Sequence, residues 1–222
     1  MNILGEDLKS VLQEIGETCE VYNHTSQLIH TDYIDFKRFW GTRIPFENEF
    51  QVLASFSYDS PTIPGDRLKI LSDNTVYVVS NTTSEYFENE IITKESFMYK
   101  CNGIFQLKRK SDEMVRDDNF ELIPQWDVIV EKEYALFTGT LEHQHNMVDE
   151  IYARFQDKKR KLIISSHLDV QIGDKVLIFP WLTDLALADF TAGAYETWQV
   201  ELVEGHRLQG IKMCNVGEFS GV

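Results

Sequence analysis

A Gly-Asp turn followed by a basic residue and an apolar strand occurs twice in this chain. The first copy spans residues 65–71 (Gly-Asp-Arg-Leu-Lys-Ile-Leu) and the second spans 173–179 (Gly-Asp-Lys-Val-Leu-Ile-Phe). Each copy is followed by another β-rich segment and then by a Cys-Asn pair, Cys101-Asn102 or Cys214-Asn215. This self-similarity indicates either one supersecondary unit used twice or the convergence of common strand-turn-strand sequences.

Length and composition limit the fold to a packed, mostly extended chain. The 222 residues suffice for one large β domain or two small ones, and a hydrophobic content of 43% is typical of a folded core. The net charge of −15 and the pI of about 4.8 predict repulsion from nucleic-acid phosphates. A sequence-specific reader of DNA or RNA is therefore disfavoured.

The chain carries no recognisable targeting signal. Its first residues lack the basic start and apolar run of a signal peptide, and no window reaches the apolar length of a membrane span. The cysteines Cys19, Cys101 and Cys214 stand far apart, which favours buried thiols in a reduced, cytosolic setting.

Periodicity predicts one helix and then strands. Apolar residues at helical spacing between Leu4 and Ile15 predict an amphipathic helix that Gly16 ends. Strands are expected at 50–58, 68–71 and 76–80, and Asn102-Gly103 predicts a hairpin between 97–101 and 104–108. Further strands are expected from residue 126 onward, interrupted by an apolar insertion at 180–193 that forms either a short plugging helix or a loop buried on a partner.

These features predict a mainly β protein with two small antiparallel β-barrel or sandwich units and a short N-terminal helix. The expected divisions are 1–47 (helix, short strand and aromatic loop), 48–110 (first β unit), 111–125 (linker) and 126–222 (second β unit).

Candidate catalytic and metal-binding groups are weak. His143 and His145, with Asp149 and Glu150 nearby, could ligate a metal, but no third ligand stands at a recognisable spacing, and a solvated turn is favoured. His167 beside Asp169 could form a general base, although Asp169 fits better as a turn residue. Phosphate-loop, dinucleotide and nucleophile-elbow motifs are absent. We therefore expect no enzyme activity, no cofactor and no metal.

Two basic clusters stand out in this acidic chain. They could contact nucleic-acid backbone or an acidic face of a neighbouring subunit, or they could be solvated hairpin tips in which lysine blocks edge pairing. The second interpretation is favoured. The clusters are Lys108, Arg109 and Lys110, and Lys158, Lys159, Arg160 and Lys161.

Several segments together resemble small neck proteins of tailed bacteriophages. They are 3–9 (Ile-Leu-Gly-Glu-Asp-Leu-Lys), 45–50 (Pro-Phe-Glu-Asn-Glu-Phe), 56–61 (Phe-Ser-Tyr-Asp-Ser-Pro), 65–68 (Gly-Asp-Arg-Leu), 76–79 (Val-Tyr-Val-Val) and 99–102 (Tyr-Lys-Cys-Asn). The likeness covers about residues 1–110, and 169–175 is similar to a later family segment. Residues 104–108 lack the tryptophan that the family carries there, which leaves the branch of neck or tail proteins open.

The resemblance implies a virion protein that is assembled in the bacterial host cytoplasm. Such a protein is a subunit of an oligomeric ring that joins the portal to the tail and lines the DNA channel without binding DNA specifically. Its partners would be copies of itself, the portal protein and other neck or tail proteins, and no membrane. An acidic subunit suits a pore through which DNA must pass.

Apolar segments with no obvious place in a small core are the candidate subunit interface. They are Leu4, Leu8, Val11 and Leu12 of the helix, and Trp181, Leu182, Leu185 and Phe190 of the insertion. Two alternatives stay open: a tail or baseplate protein of the same virion, and a small OB-like barrel that binds nucleic acid or another ligand.

Overall fold

The computed structural model of the chain describes residues 2–37, 50–116, 120–139, 160–192, 194–204 and 209–219. This part is mainly β, as predicted, with one α-helix at its N-terminus. The elements are α1 (Ile3–Ile15), β1 (Glu17–Tyr22), β2 (Leu28–Lys37), β3 (Gln51–Ser57), β4 (Arg67–Ile70), β5 (Val76–Phe87), β6 (Glu90–Lys100), β7 (Gly103–Arg116), β8 (Leu122–Gly139), β9 (Arg160–Ser165), β10 (Lys175–Pro180), β11 (Glu196–Glu204) and β12 (Ile211–Glu218). A short 3-10 helix, Leu185–Leu187, lies between β10 and β11.

The strands form two antiparallel six-stranded sheets with the same connectivity. The first closes as a barrel in the order β1-β2-β3-β6-β5-β4. The second runs β7-β8-β9-β12-β11-β10, and β10 pairs with β7, so this sheet also returns on itself. Adding six to each strand number of the first order produces the second. The repeat seen in the sequence therefore corresponds to one topology used twice.

The division between the two units differs from the predicted one. The first unit comprises Met1–Cys101 with Ile164–His167 and Gly205–Lys212, and the second comprises Asn102–Ile163, Leu168–Glu204 and Met213–Val222. The segment 17–37, predicted to lie outside the first β unit, supplies two of its strands. The segment 103–110, assigned by sequence to the first unit, begins the second sheet. The barrel to which a strand belongs depends on pairing with strands far away in the chain. Local sequence patterns do not predict this pairing.

The segment 111–125 was wrongly predicted to be a linker. Its residues 111–116 belong to β7 and 122–125 to β8, and the two strands pair in an antiparallel ribbon. Charged and polar residues are common on a ribbon that is exposed on both faces. The composition of such a ribbon is therefore similar to that of a loop.

The Asn102-Gly103 dipeptide was also wrongly predicted to turn a hairpin, because the strands on either side of it belong to different sheets. The buried Asn102 side chain instead accepts a hydrogen bond from the Phe137 N–H (2.7 Å) and donates one to the Phe137 carbonyl (2.9 Å). This amide thereby satisfies two backbone groups of β8 where the second unit begins.

Helix α1 forms as predicted and covers one side of the first barrel. The Asn2 side chain caps it by accepting the Gly5 N–H at 2.9 Å, and the Gly16 N–H bonds the Leu12 carbonyl at its end. Leu12 is buried and Leu8 half-buried. Tyr58 donates a hydrogen bond to Glu6, which ties the outer side of the helix to the chain after β3.

Each barrel has its own apolar core. Fully buried side chains of the first include Phe56, Leu68 and Met98, and those of the second include Leu107 and Leu136. Burial of each such side chain is worth about 1.5–3 kcal/mol. The alternation of apolar residues seen in the sequence thus places one face of each strand inside.

The two Gly-Asp turns have the same geometry. Gly65 and Gly173 have φ of +95° and +94°, and their N–H groups donate to the carbonyls of Val79 and Val200, both at 2.8 Å. Asp66 accepts the N–H of Ile63 at 2.9 Å, and Asp174 likewise accepts the N–H of Gln171 at 2.8 Å. The aspartate carboxylate therefore closes each turn just before the strand that follows.

Substitution of each turn glycine by alanine should cost stability by different amounts. At a positive φ an alanine costs about 1–2 kcal/mol, and nothing lies near a Cβ at Gly173. A Cβ at Gly65 would also come within 2.5 Å of His167 Nε2. We expect urea denaturation to show a larger loss for Gly65→Ala than for Gly173→Ala. Equal losses would mean that the His167 ring moves aside freely.

The following hairpins share a β-bulge. The register shifts between Val79 and Asn81 on β5, and between Val200 and Leu202 on β11. Val79 pairs with Met98, and Val200 pairs with Val216, which makes Met98 and Val216 equivalent. Counting back, Cys214 is equivalent to Ser96 and not to Cys101. The two Cys-Asn pairs therefore do not belong to the structural repeat.

All three cysteines are buried thiols that form no disulfide. Burial, followed by the negative charge of Asp32, raises the pKa of Cys19 to about 12. At pH 8 the Cys19 thiol would therefore stay protonated, and the thiolate is the reactive form. We expect a disulfide reagent such as DTNB to modify no cysteine in the native protein at pH 8 and all three in denaturant. Rapid labelling of the native protein would contradict this packing.

Candidate subunit interface

Strands β7 and β8 continue beyond the second barrel as a two-stranded ribbon. Within the described residues, β10 pairs with β7 over 103–108, and β9 pairs with β8 over 136–139. Farther out, β7 and β8 pair with each other, with Val115 opposite Ile123. We call residues 111–116 and 120–130 the β7–β8 arm, although residues 128–130 pair with 107–108 and lie level with the barrel.

The arm exposes apolar side chains on both faces. The exposed ones are Met114, Val115, Phe120, Leu122, Ile123, Val128 and Ile129. Leu122 is 60% exposed and Phe120 is 78% exposed. Consecutive residues of a strand point to opposite faces, so the neighbours Met114 and Val115 leave both sides of the ribbon apolar. Isolated two-stranded hairpins are marginally stable, and exposed apolar clusters mark interaction surfaces.

Arg109 anchors the base of the arm. Its guanidinium makes a two-pronged contact with Asp174, from Nε to Oδ1 (2.8 Å) and from NH2 to Oδ2 (2.9 Å). NH1 also donates to Asp169 at 2.7 Å. The hydrogen bonds to Asp174, and then those to Asp169, raise the pKa of Arg109. Because Asp174 also closes the Gly173 turn, β7 is fixed to that turn at the position where the arm begins.

Aromatic rings pack against β8 at the base of the arm, near Arg109. Lys175 Nζ lies 4.4 Å from the centre of the Phe219 ring and 5.4 Å from that of Trp126. The two rings meet edge to face with centres 5.6 Å apart. Burial, and then repulsion from Lys108, lowers the pKa of Lys175. The arm thus has a firmly packed base and an outer part whose apolar side chains are exposed.

The first unit carries a smaller hairpin tip of similar character. β5 and β6 are joined at Glu88 and Asn89, whose φ angles of 48° and 68° fit the type I′ turn that favours tight hairpins. Tyr86 and Phe87 just before this turn are 65% and 53% exposed.

The predicted interface residues of α1 divide into two groups. Leu12 is buried and Leu8 is half-buried against the barrel of its own unit, whereas Leu4 and Val11 remain exposed. Ile15, at the end of the helix, is 72% exposed. Part of the apolar stripe is therefore used within the unit, and the remainder faces outward.

The apolar insertion is used mainly inside its own unit. Phe190 is buried with Ile104 and Leu177, and Leu182 and Leu185 pack against this cluster as half-buried side chains. Trp181 stays 72% exposed. The predicted helix is present as the short 3-10 helix Leu185–Leu187, and the side chains of Leu182, Leu185 and Phe190 pack against residues of their own unit.

In the described part of the two basic clusters, both arginines contact residues of their own unit. Lys108, Arg109 and Lys110 lie on β7 at the base of the arm, and Arg109 is held by its two aspartates. Arg160 lies over the Trp198 ring at 5.7 Å, and Lys161 pairs with Thr138 in the ladder between β9 and β8. Lys158 and Lys159 lie outside the described residues.

The candidate catalytic residues are not assembled. Asp169 pairs with Arg109, while the ring of His167 stacks on that of His24 with centres 4.7 Å apart. The candidate ligands at 143–150 lie outside the described residues. In the described part of the chain, no three His, Cys, Asp or Glu side chains are arranged to hold a metal ion.

Sequence reasoning missed the arm. The apolar residues at 114–115 and 122–123 flank a polar segment, which is the arrangement of a hairpin with a polar tip. That signal could have indicated a ribbon. In each strand, however, the alternation of apolar and polar residues is too short to distinguish the strand from a loop.

No family model, curated protein or solved structure matches this chain. In the described residues, no helix combines the length and apolar character needed to cross a bilayer. The function is therefore inferred from the chain's own residues.

Proposed function

We propose that this chain is a structural virion protein of a tailed bacteriophage, one subunit of an oligomeric ring in the neck that joins the portal and head to the tail. The observation that carries the proposal is the β7–β8 arm, which is anchored at its base and apolar on both outer faces. An arm of this kind suits attachment to a neighbouring subunit, where its exposed side chains and the ladder edges that no described strand pairs with would be buried.

The charge of the chain supports a ring around DNA. With a net charge of −15, copies arranged about a channel would repel a passing phosphate backbone and let it slide. The proposed partners are copies of this chain, the portal protein and neighbouring neck or tail proteins. The proposed location is the virion, after assembly in the bacterial host cytoplasm.

The proposed position in the neck rests on the segments within about residues 1–110 that resemble neck proteins. The arm alone would also suit a tail or baseplate protein, and only the similar segments favour the neck. A role as a nucleic-acid-binding barrel is disfavoured, because Arg109 and Arg160 are engaged within their own unit and the chain is acidic.

Antibody labelling of virions tests the proposal directly. Phage particles from lysates of cells that express this chain would be labelled with antibodies against it and imaged by negative-stain electron microscopy. We expect label at the junction of head and tail, and separate images of the purified chain should show rings. Label at the far end of the tail would support the baseplate alternative, and virions without label would overturn the proposal.

A binding assay separates the remaining alternative. Purified protein would be mixed with fluorescent single-stranded DNA at physiological salt, and anisotropy would be measured. We expect no binding. Tight binding that weakens steeply with added salt would instead favour a nucleic-acid-binding barrel.

A further inference from the structure

Strands β5 and β6 continue past the first barrel as a two-stranded hairpin. β4 pairs with β5 only over residues 76–78, whereas β6 pairs with β3 from Thr93 to Tyr99. In the described part of the chain, the outer side of β5 from Thr82 to Phe87 therefore has no neighbouring strand. We call residues 82–87 the β5 edge.

The β5 edge lacks the residues that usually protect an exposed strand. Lysine and proline on an edge discourage pairing with another chain, and residues 70–93 contain no lysine, arginine or proline. The one charged residue of the edge is Glu85, and its carboxylate accepts the hydroxyl of Thr93 on β6 at 2.7 Å. That carboxylate is thus held across the ladder, so the backbone of the edge stays open to a further strand.

Two aromatic side chains stand at the end of this edge. Tyr86 and Phe87 are both exposed, and consecutive residues of a strand point to opposite faces of the hairpin. Tyr86 lies opposite the half-buried Ile91 of β6. A strand added at the edge would therefore find apolar contact surface on either face of the hairpin.

The charge of the hairpin indicates which kind of strand fits. Glu85, Glu88 and Glu90 all lie in it, and no cation stands between Lys69 and Lys94 in the sequence. A basic segment would be attracted to this end of the unit. Nucleic acid, an anionic membrane surface and a second copy of this chain, with its net charge of −15, would be repelled.

We propose that the β5 edge binds an extended, basic segment of a partner protein other than this chain, which adds to the sheet as a further strand. Its backbone N–H and C=O groups would pair with those of residues 82–87. Its apolar side chains would contact Tyr86 and Phe87, and its lysine or arginine side chains would pair with the exposed Glu88. The inference concerns a different surface from the arm and does not depend on the proposed function.

A defined peptide tests this binding. The probe is the blocked, fluorescein-labelled peptide Lys-Val-Lys-Thr-Lys-Val-Lys-Thr, and the control peptide has glutamate in place of every lysine. Anisotropy would measure the affinity of each for the purified protein at physiological salt. We expect saturable binding of the basic peptide and at least tenfold weaker binding of the glutamate peptide. Equal binding of the two peptides, or no binding of either, would overturn the proposal.

Hydrogen exchange followed by mass spectrometry locates the bound peptide without any variant. A strand added at the β5 edge forms new backbone hydrogen bonds there, so we expect the basic peptide to slow exchange at least tenfold in the segment that contains residues 82–87. Slowed exchange spread over many acidic segments, or none at 82–87, would show that the peptide binds by net charge alone and would overturn the proposal.

A variant without the aromatic contacts adds a second test. Tyr86→Ser combined with Phe87→Ser keeps the charge of the hairpin and should bind the basic peptide at least tenfold more weakly. The matched control is Phe120→Ser, an exposed aromatic residue of the arm, which should bind as the wild type does. Circular dichroism would check that both fold. If the double variant does not fold, the exchange measurement on the wild type decides the question. A folded double variant with wild-type affinity would contradict the proposal.

Photocrosslinking separates a partner protein from a second copy. The crosslinking amino acid p-benzoylphenylalanine would replace Phe87 in cells that express this chain, and mass spectrometry would map the attached peptides. We expect crosslinks to one segment of a different protein, with lysine or arginine beside the attachment point. Crosslinks to another copy of this chain, to a segment without a cation, or to no protein would overturn the proposal.

Discussion

Replacing Val115 by glutamate and Ile123 by lysine should abolish ring formation while leaving the subunit folded. These residues lie opposite each other in the arm and are exposed. The new side chains can form an ion pair across the ladder, so the ribbon keeps its pairing while it loses apolar surface. The same apolar contact is lost at every interface of the proposed ring, so we expect the variant to be a monomer. Light scattering after size-exclusion chromatography measures its molar mass.

The matched control exchanges charges in the same arm without removing apolar surface. The double variant Glu113→Lys with Arg116→Glu keeps the net charge, and both positions are exposed. We expect this control to assemble as the wild type does. Circular dichroism would show that both variants retain their β structure. Normal rings from the Val115 and Ile123 variant would show that the arm is not the interface.

Replacing Arg109 by alanine should destabilise the protein by about 3 kcal/mol, because it leaves Asp174 buried without its cation. The Asp174 side chain is 2% exposed and accepts two hydrogen bonds from Arg109. The change also frees the base of the arm from the Gly173 turn. Guanidinium denaturation of the purified protein would measure the loss.

Two further variants show what the loss depends on. Lys110→Ala, at the neighbouring exposed position, should change the free energy of unfolding by less than about 0.5 kcal/mol. Arg109→Lys keeps the charge but not the two-pronged contact, so it should recover only part of the loss. An Arg109→Ala variant as stable as the wild type would mean that the Asp174 carboxylate is satisfied by other donors.

Some of these contacts follow directly from local sequence. The Gly-Asp turns, the helix ended by Gly16 and the alternating strands were predictable, because each depends on residues within one turn or a few positions. The repeat of 65–71 at 173–179 indicated a unit used twice, and the shared strand order and bulge agree with that interpretation. The equivalence of the two Cys-Asn pairs was wrong, because short identical segments carry no information about register.

Less of the candidate subunit interface could be predicted from the sequence. Phe190, Leu182 and Leu185 were assigned to an interface, yet they pack within their own unit. The arm was taken for a linker, because exposed ribbons and loops have similar composition. Arg109 was counted as part of a basic patch, although Asp174, 65 residues farther along the chain, neutralises it.

Local sequence patterns suffice to specify a β protein with one N-terminal helix and a repeated turn. Those features depend on backbone propensity and on spacing of apolar residues, both of which are local. Folding adds which strands share a barrel, which apolar residues stay outside, and which distant aspartates hold Arg109. These outcomes depend on antiparallel partners and charges that lie far apart in the chain and meet only when it folds.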